Sequence, residues 1–251
     1  MQPKISIIIP NYNEAENVSR GVLTHIVSYL KKQPYAWEMI VADDGSTDGS
    51  LAVISRFAAK DERVKVLRLP HAGKPYALRA GIKAAKGQYV LFTDMDQSTP
   101  IEELGKLLPW TDKGFTVVIG SRGASRENSS FFRKYIVSLG FLLVRRAIIL
   151  PEIIDTQCGF KLLDTKLART IFGKMRLFGR ENNVTGWKVT AYDVELLHLA
   201  KKMGNPIKEV RVAWRDEDVS SGKSRNFIKE SYEMFFEILR VRVNDLLGKY
   251  D

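Results

Sequence analysis

In the first half of this chain, short apolar runs alternate with longer segments of helical period, and that alternation restricts the fold more than any other feature. Consecutive parallel strands need a crossover, usually a helix, so repeated strand and helix units dictate a mostly parallel sheet flanked by helices. The pattern predicts strands over residues 4–9, 37–42, 64–69, 88–93 and 116–121, with helices over 16–32, 49–60, 75–85 and 101–107. No repeat, low-complexity tract or long linker interrupts the chain, and 251 residues at 45% hydrophobic suit one α/β domain over residues 1–251.

Polar residues gather where the predicted strands end: Asn11-Tyr12-Asn13-Glu14, Asp43-Asp44-Gly45-Ser46-Thr47-Asp48, His71-Ala72-Gly73-Lys74 and the pair Asp94 and Asp96. Ligands of open α/β sheets bind outside these carboxyl ends. Each cluster has a plainer reading, since Asp44-Gly45-Ser46 suits a turn and N-cap and Gly73-Lys74 a solvated loop. Their convergence on one edge favours a site. Two carboxylates as close as Asp94 and Asp96 repel, and a hard divalent cation completed by phosphate oxygens relieves them.

Charge and cysteine content narrow the partners. An excess of 39 Lys+Arg over 29 Asp+Glu favours an anionic partner: a nucleic acid, an acidic membrane surface or a phosphorylated substrate. No recognised nucleic-acid motif is present, so a nucleic-acid-binding protein is a remote alternative. The lone Cys158 permits no internal disulfide, which fits the cytosol. No secretory signal pattern opens the sequence. The longest apolar stretch, residues 135–144, is too short to span a bilayer.

A helix predicted over residues 131–150 carries Arg133, Lys134, Arg145 and Arg146 around an apolar middle, which suits a core helix or one lying in a membrane interface. Over residues 226–247, Ile228, Tyr232, Phe235, Leu239, Val243 and Leu246 recur at helical spacing and mark one apolar face.

Read in order, Pro10-Asn11-Tyr12-Asn13-Glu14, Asp43 to Asp48, Gly73-Lys74, Asp94-Met95-Asp96 and Gly120-Ser121-Arg122 resemble the motif series of family 2 glycosyltransferases. Asp155-Thr156-Gln157-Cys158-Gly159-Phe160-Lys161 and Tyr192-Asp193-Val194-Glu195 resemble the subgroup that makes dolichyl-phosphate glucose and, more distantly, dolichyl-phosphate mannose. The resemblance covers almost the whole chain.

It implies a GT-A fold, with residues 1–125 binding the nucleotide sugar and residues 126–251 the acceptor. Pro10, Tyr12, Glu14, Asp44, Lys74, Asp94, Met95 and Asp96 are then expected in the nucleotide-sugar pocket, Asp44 accepting from a base N–H. Asp94, Asp96 and Gln97 are expected at a Mn²⁺ or Mg²⁺ ion, and Asp96, Arg122, Asp193 and Glu195 in catalysis. Arg133, Ser138, Arg215 and Lys223 are expected to grip the acceptor phosphate. Two positions depart from the mannose-synthase pattern: Ser98 stands where Gln is common and Val137 where Ser is, leaving Gln97 and Ser138 one step away. Residues 178–190 look like an insertion.

The activity implied is an inverting, metal-dependent transfer of a hexose from UDP-glucose or GDP-mannose to dolichyl or polyprenyl phosphate. The enzyme would be peripheral on the cytosolic face of a membrane. An acceptor phosphate arrives already charged and needs no general base; a glycan or glycolipid hydroxyl acceptor would need one, and Asp193 or Glu195 is the candidate.

Overall fold

The computed structural model describes residues 2–122, 149–176, 191–215, 217–219 and 227–251, with side chains in the last segment described from Glu233 onward. The described strands form one sheet in the order β3-β2-β1-β4-β6-β5-β7. They are β1 (Ile5–Asn11), β2 (Trp37–Asp43), β3 (Val64–Arg68), β4 (Tyr89–Phe92), β5 (Val117–Ser121), β6 (Lys161–Asp164) and β7 (Ile207–Arg211). All run parallel except β6, which is reversed between β4 and β5. The predicted strands fall within two residues of β1 to β5 at either end.

β1, with sequence ISIIIPN, is buried on both faces, as a central parallel strand must be. Its period of two sends Ile5, Ile7 and Ile9 into one layer, with α2 (Val22–Lys31), α3 (Ser50–Ala58) and α5 (Leu104–Leu107). Ile8 joins Ile40 in the other layer, under α4 (Lys74–Ala84), α6 (Thr165–Lys174), α7 (Tyr192–Lys202) and α8 (Phe227–Leu246). α2 buries Val22, Leu23, Ile26, Val27 and Leu30, and at roughly 2 kcal/mol for each such side chain this burial, rather than helix propensity, holds it.

The structure corrects three expectations. The helix expected over 16–32 is two helices, α1 (Ala15–Ser19) and α2, because Gly21 has φ of +80°, a conformation glycine takes without steric cost. The helix expected over 101–107 is one α-turn, α5, between 3₁₀ turns at Ile101–Glu103 and Leu108–Trp110; Pro109 lacks the N–H that continuation would need. α8 forms where expected but turns a different face inward. Ile238 and Val241 are fully buried, whereas Val243 and Leu246 of the expected stripe are 51% and 71% exposed, beside Phe236 at 62%.

β6, β7, α6 and α7 were not foreseen. α6 starts on a capping residue, Asp164, whose Oδ1 accepts from Leu167 N at 2.9 Å. In α7 every side chain from Tyr192 to Ala200 is buried. The helix expected over 131–150 lies almost wholly in 123–148, outside the described residues, as does the insertion over 178–190.

Candidate active site

The register brings the expected clusters to one rim. Asn11 ends β1 opposite Asp43 of β2, Phe92 of β4 pairs with Ile8, and Ser121 of β5 pairs with Arg211 of β7. Because β6 is reversed, its first residue, Lys161, pairs with Phe92 and Ile119 at this same rim.

Much of the Asp43 to Asp48 cluster builds loops. Asn11 Nδ2 donates to Asp43 Oδ1 at 2.6 Å and to the hydroxyls of Ser46 and Ser50, tying the loop after β2 to β1. Asp48 accepts from the backbone N–H groups of Ala15 and Ser50, fixing the start of α1. Asp44 is 3% exposed and already committed: Oδ1 accepts from Ala72 N, and Oδ2 accepts from Gly73 N and His71 Nδ1, all at 2.8 Å. Three of the roughly four acceptor sites of Asp44 thus hold the loop after β3, which leaves one for the base N–H expected there. Tyr12, 38% exposed, stacks on His71. Pro10, one residue before the end of β1, is half-buried, and Glu14 accepts from Asn17 Nδ2 at 2.6 Å.

Beyond β4, Lys74 Nζ meets Asp94 Oδ1 at 2.5 Å. Burial opposes the Lys74 charge, but Asp94, Tyr192 and Asp193 around it raise its pKa overall. Met95 is buried at 1% in the core, which corrects its expected place in the pocket: its side chain anchors the loop. Asp96 Oδ1 accepts from Ser98 N, and burial together with the charge of Asp94 pushes its carboxyl up to about 6. Such a site penalises a second negative charge and is relieved by a cation.

Gln97 has φ of +52°, its amide nitrogen donates to Thr93 Oγ1 and Asp94 O, and its Oε1 is buried with no hydrogen-bond partner. A carboxylate of raised pKa beside an orphaned amide oxygen fits a hard divalent ion. No group of three or more His, Cys, Asp or Glu able to hold a metal occurs among the described residues.

The far side of the rim is held by ion pairs. Arg122 donates to Asp155 through Nε at 2.7 Å and Nη2 at 2.8 Å, and lies 5.7 Å from the Trp214 ring centroid. Burial disfavours the Asp155 carboxylate, but Arg122 outweighs it and lowers the group to about 2. Lys161, 1% exposed, donates to Asp193 Oδ1 and to Cys158 O, each at 2.5 Å.

Asp193 thus reaches the site as the partner of a buried ammonium. Glu195 does not reach it. Its side chain is fully buried, and Oε1 accepts from Arg176 N and from the Tyr250 hydroxyl, both at 2.6 Å, so its expected catalytic role is corrected to that of a core acceptor.

Arg215 is exposed and lines a cavity of about 520 Å³ with Arg20, His25, Asp96, Gln97 and Glu217. Arg133, Ser138 and Lys223 lie outside the described residues. Sequence reasoning missed His71, Asp155 and Lys161 as site residues. Their motifs were visible, but the pairing that gives each its role joins distant strands.

The sequence matches the family described as Glycosyl transferase family 2 over residues 6–172. It is 34% identical to the dolichyl-phosphate beta-glucosyltransferase of Drosophila melanogaster, over 86% of this chain and 68% of that protein. The dolichyl-phosphate beta-glucosyltransferase of Dictyostelium discoideum is 30% identical over 97% of this chain and 75% of that protein. Among solved structures, mannosyl-3-phosphoglycerate synthase from Rubrobacter xylanophilus superposes with a TM-score of 0.68 at 18% identity, covering 99% of this chain and 76% of that one. The GT-A fold is borne out, and the chain belongs to glycosyltransferase family 2.

Proposed function

We propose that this glycosyltransferase moves a hexose from a nucleotide sugar, UDP-glucose ahead of GDP-mannose, to dolichyl or another polyprenyl phosphate with inversion. The product would serve protein N-glycosylation or cell-envelope glycan synthesis. In this reaction the bond from C1 to the diphosphate breaks while a phosphate oxygen of the acceptor bonds C1 from the opposite face. Negative charge builds on the departing diphosphate, and positioned cations stabilise it.

Lys74 is held at the rim by Asp94, and Arg122 is fixed by the Asp155 fork, which leaves Nη1 outside the pairing. Asp96 and the Gln97 amide oxygen would hold Mn²⁺ or Mg²⁺, which supplies Lewis-acid stabilisation of the diphosphate when bound. Losing one such contact typically costs about 10²-fold to 10³-fold in rate.

The observation that carries the phosphate acceptor is the Lys161–Asp193 pair. The Asp193 carboxylate is already committed to a buried ammonium, and Glu195 lies in the core. That disfavours a hydroxyl acceptor, which must lose a proton, and suits one that arrives as an anion.

Peripheral attachment to the cytosolic membrane face is supported by the outer face of α8, where Phe236, Val243 and Leu246 are exposed beside Arg240. Among the described residues no helix is long and apolar enough to cross a membrane. The test is incubation with Mn²⁺ and a panel of labelled nucleotide sugars, with and without polyprenyl phosphate, followed by lipid extraction. Label is expected in the lipid only with the acceptor present; its absence with every donor would sink the proposal.

A further inference from the structure

α7 begins without a cap of its own. The leading N–H groups of a helix need partners from outside it, and Ala191, which precedes Tyr192, has no side chain that can serve. Partners come instead from later in the chain. Glu237 of α8 accepts from Ala191 N through Oε2 at 2.7 Å, and a negative charge is favourable at a helix N-terminus. One turn further along α7, Glu195 Oε1 accepts from the hydroxyl of buried Tyr250 at 2.6 Å.

Between these two clamps stand Tyr192 and Asp193. Asp193 pairs with Lys161, and both residues lie close enough to Lys74 to bear on its charge. Lys74 in turn meets Asp94. A shift of this one turn would therefore disturb two ammonium groups of the rim together.

We infer that Glu237 and Tyr250 are positioning residues for the transfer reaction proposed above, on which this role rests. They hold the first turn of α7, and through Tyr192 and Asp193 they set Lys74 and Lys161 relative to the reacting groups. Neither touches the substrate. A cap that only stabilised the helix would leave turnover of the folded enzyme unchanged. A cap that positions the rim changes kcat, because a misplacement of about 1 Å can cost about 10²-fold.

The test is steady-state transfer with Mn²⁺, UDP-glucose or GDP-mannose and polyprenyl phosphate, on the full chain and on Glu237→Ala, Glu237→Gln and Tyr250→Phe. Assays are run below the unfolding range that circular dichroism gives for each. Glu237→Ala should lower kcat about tenfold or more while KM for the nucleotide sugar stays within about threefold of the parent. Glu237→Gln keeps an acceptor oxygen at the same reach and should hold kcat within about threefold. Tyr250→Phe loses one oxygen and should lower kcat about fivefold, reading the second clamp even if Glu237→Ala folds poorly. Parental kcat in Tyr250→Phe or in folded Glu237→Ala, equal losses in Glu237→Ala and Glu237→Gln, or a loss carried by KM would overturn the positioning role alone. A parent inactive with both donors would overturn the transfer reaction itself, and this role with it.

Discussion

The two ends of the rim are built from the same side chain, aspartate, used in opposite ways. Under the parallel strands β1 to β3, Asp43, Asp44 and Asp48 accept from backbone amides and small polar groups. Beyond the reversed strand β6, Asp155 and Asp193 are neutralised by Arg122 and Lys161. An amide-bound carboxylate freezes a loop and keeps its charge. A paired one anchors a cation, which is useful where an anionic substrate must be gathered. The difference teaches that the end under β1 to β3 is preorganised by its backbone and the end beyond β6 by charge.

Lys161→Met should have the largest effect, because it leaves Asp193 buried without its partner. A loss of about 3–5 kcal/mol is expected from chemical denaturation. A loss below about 1 kcal/mol would show that the pair is not what holds this end together.

Asp155→Asn comes next. The folded value of about 2 lies below the ordinary 3.8, so the stabilisation from this group is complete above about pH 4 and fades as pH falls toward 2. It amounts to roughly 2 kcal/mol. The variant should lose it near neutrality and show a shallower decline in thermal midpoint between pH 4 and 2; an unchanged acid limb would break the comparison.

Asp44→Asn should cost least, about 1 kcal/mol, since the remaining oxygen still accepts from one of the loop amides. If denaturation finds it more costly than Lys161→Met, the two ends have been assigned the wrong way round.

Strands β1 to β5 were legible because an apolar run between helical segments has few other homes. The rim clusters were legible because polar residues at strand ends have a common destination. β6 was not, since a four-residue strand that opens on a lysine carries no periodic signal. Lys161 is tolerated there only because Asp193, far along the chain, meets it. Asp44 was only partly legible for a related reason: its sequence announces an acceptor, but not that three donors from the loop after β3 occupy most of it. The inward face of α8 was misread because several registers of its apolar residues satisfy the same spacing, and contact with α7 chose among them.

The reversal of β6 also changes how many loops the rim can host. In a wholly parallel sheet each strand delivers its following loop to this edge and sends its preceding loop to the other. A single turned strand delivers the segment that enters it, so residues 155–160 and the Asp94 loop share one rim a strand spacing apart, about 4.8 Å. At that distance the neighbours must be trimmed to fit. Gly159 is where they are trimmed, since a Cβ there would overlap the Asp94 carboxylate. The reversed strand therefore works as a hinge pin in the architecture, bringing a late segment of the chain face to face with an early one and leaving room between them for a carboxylate and little else.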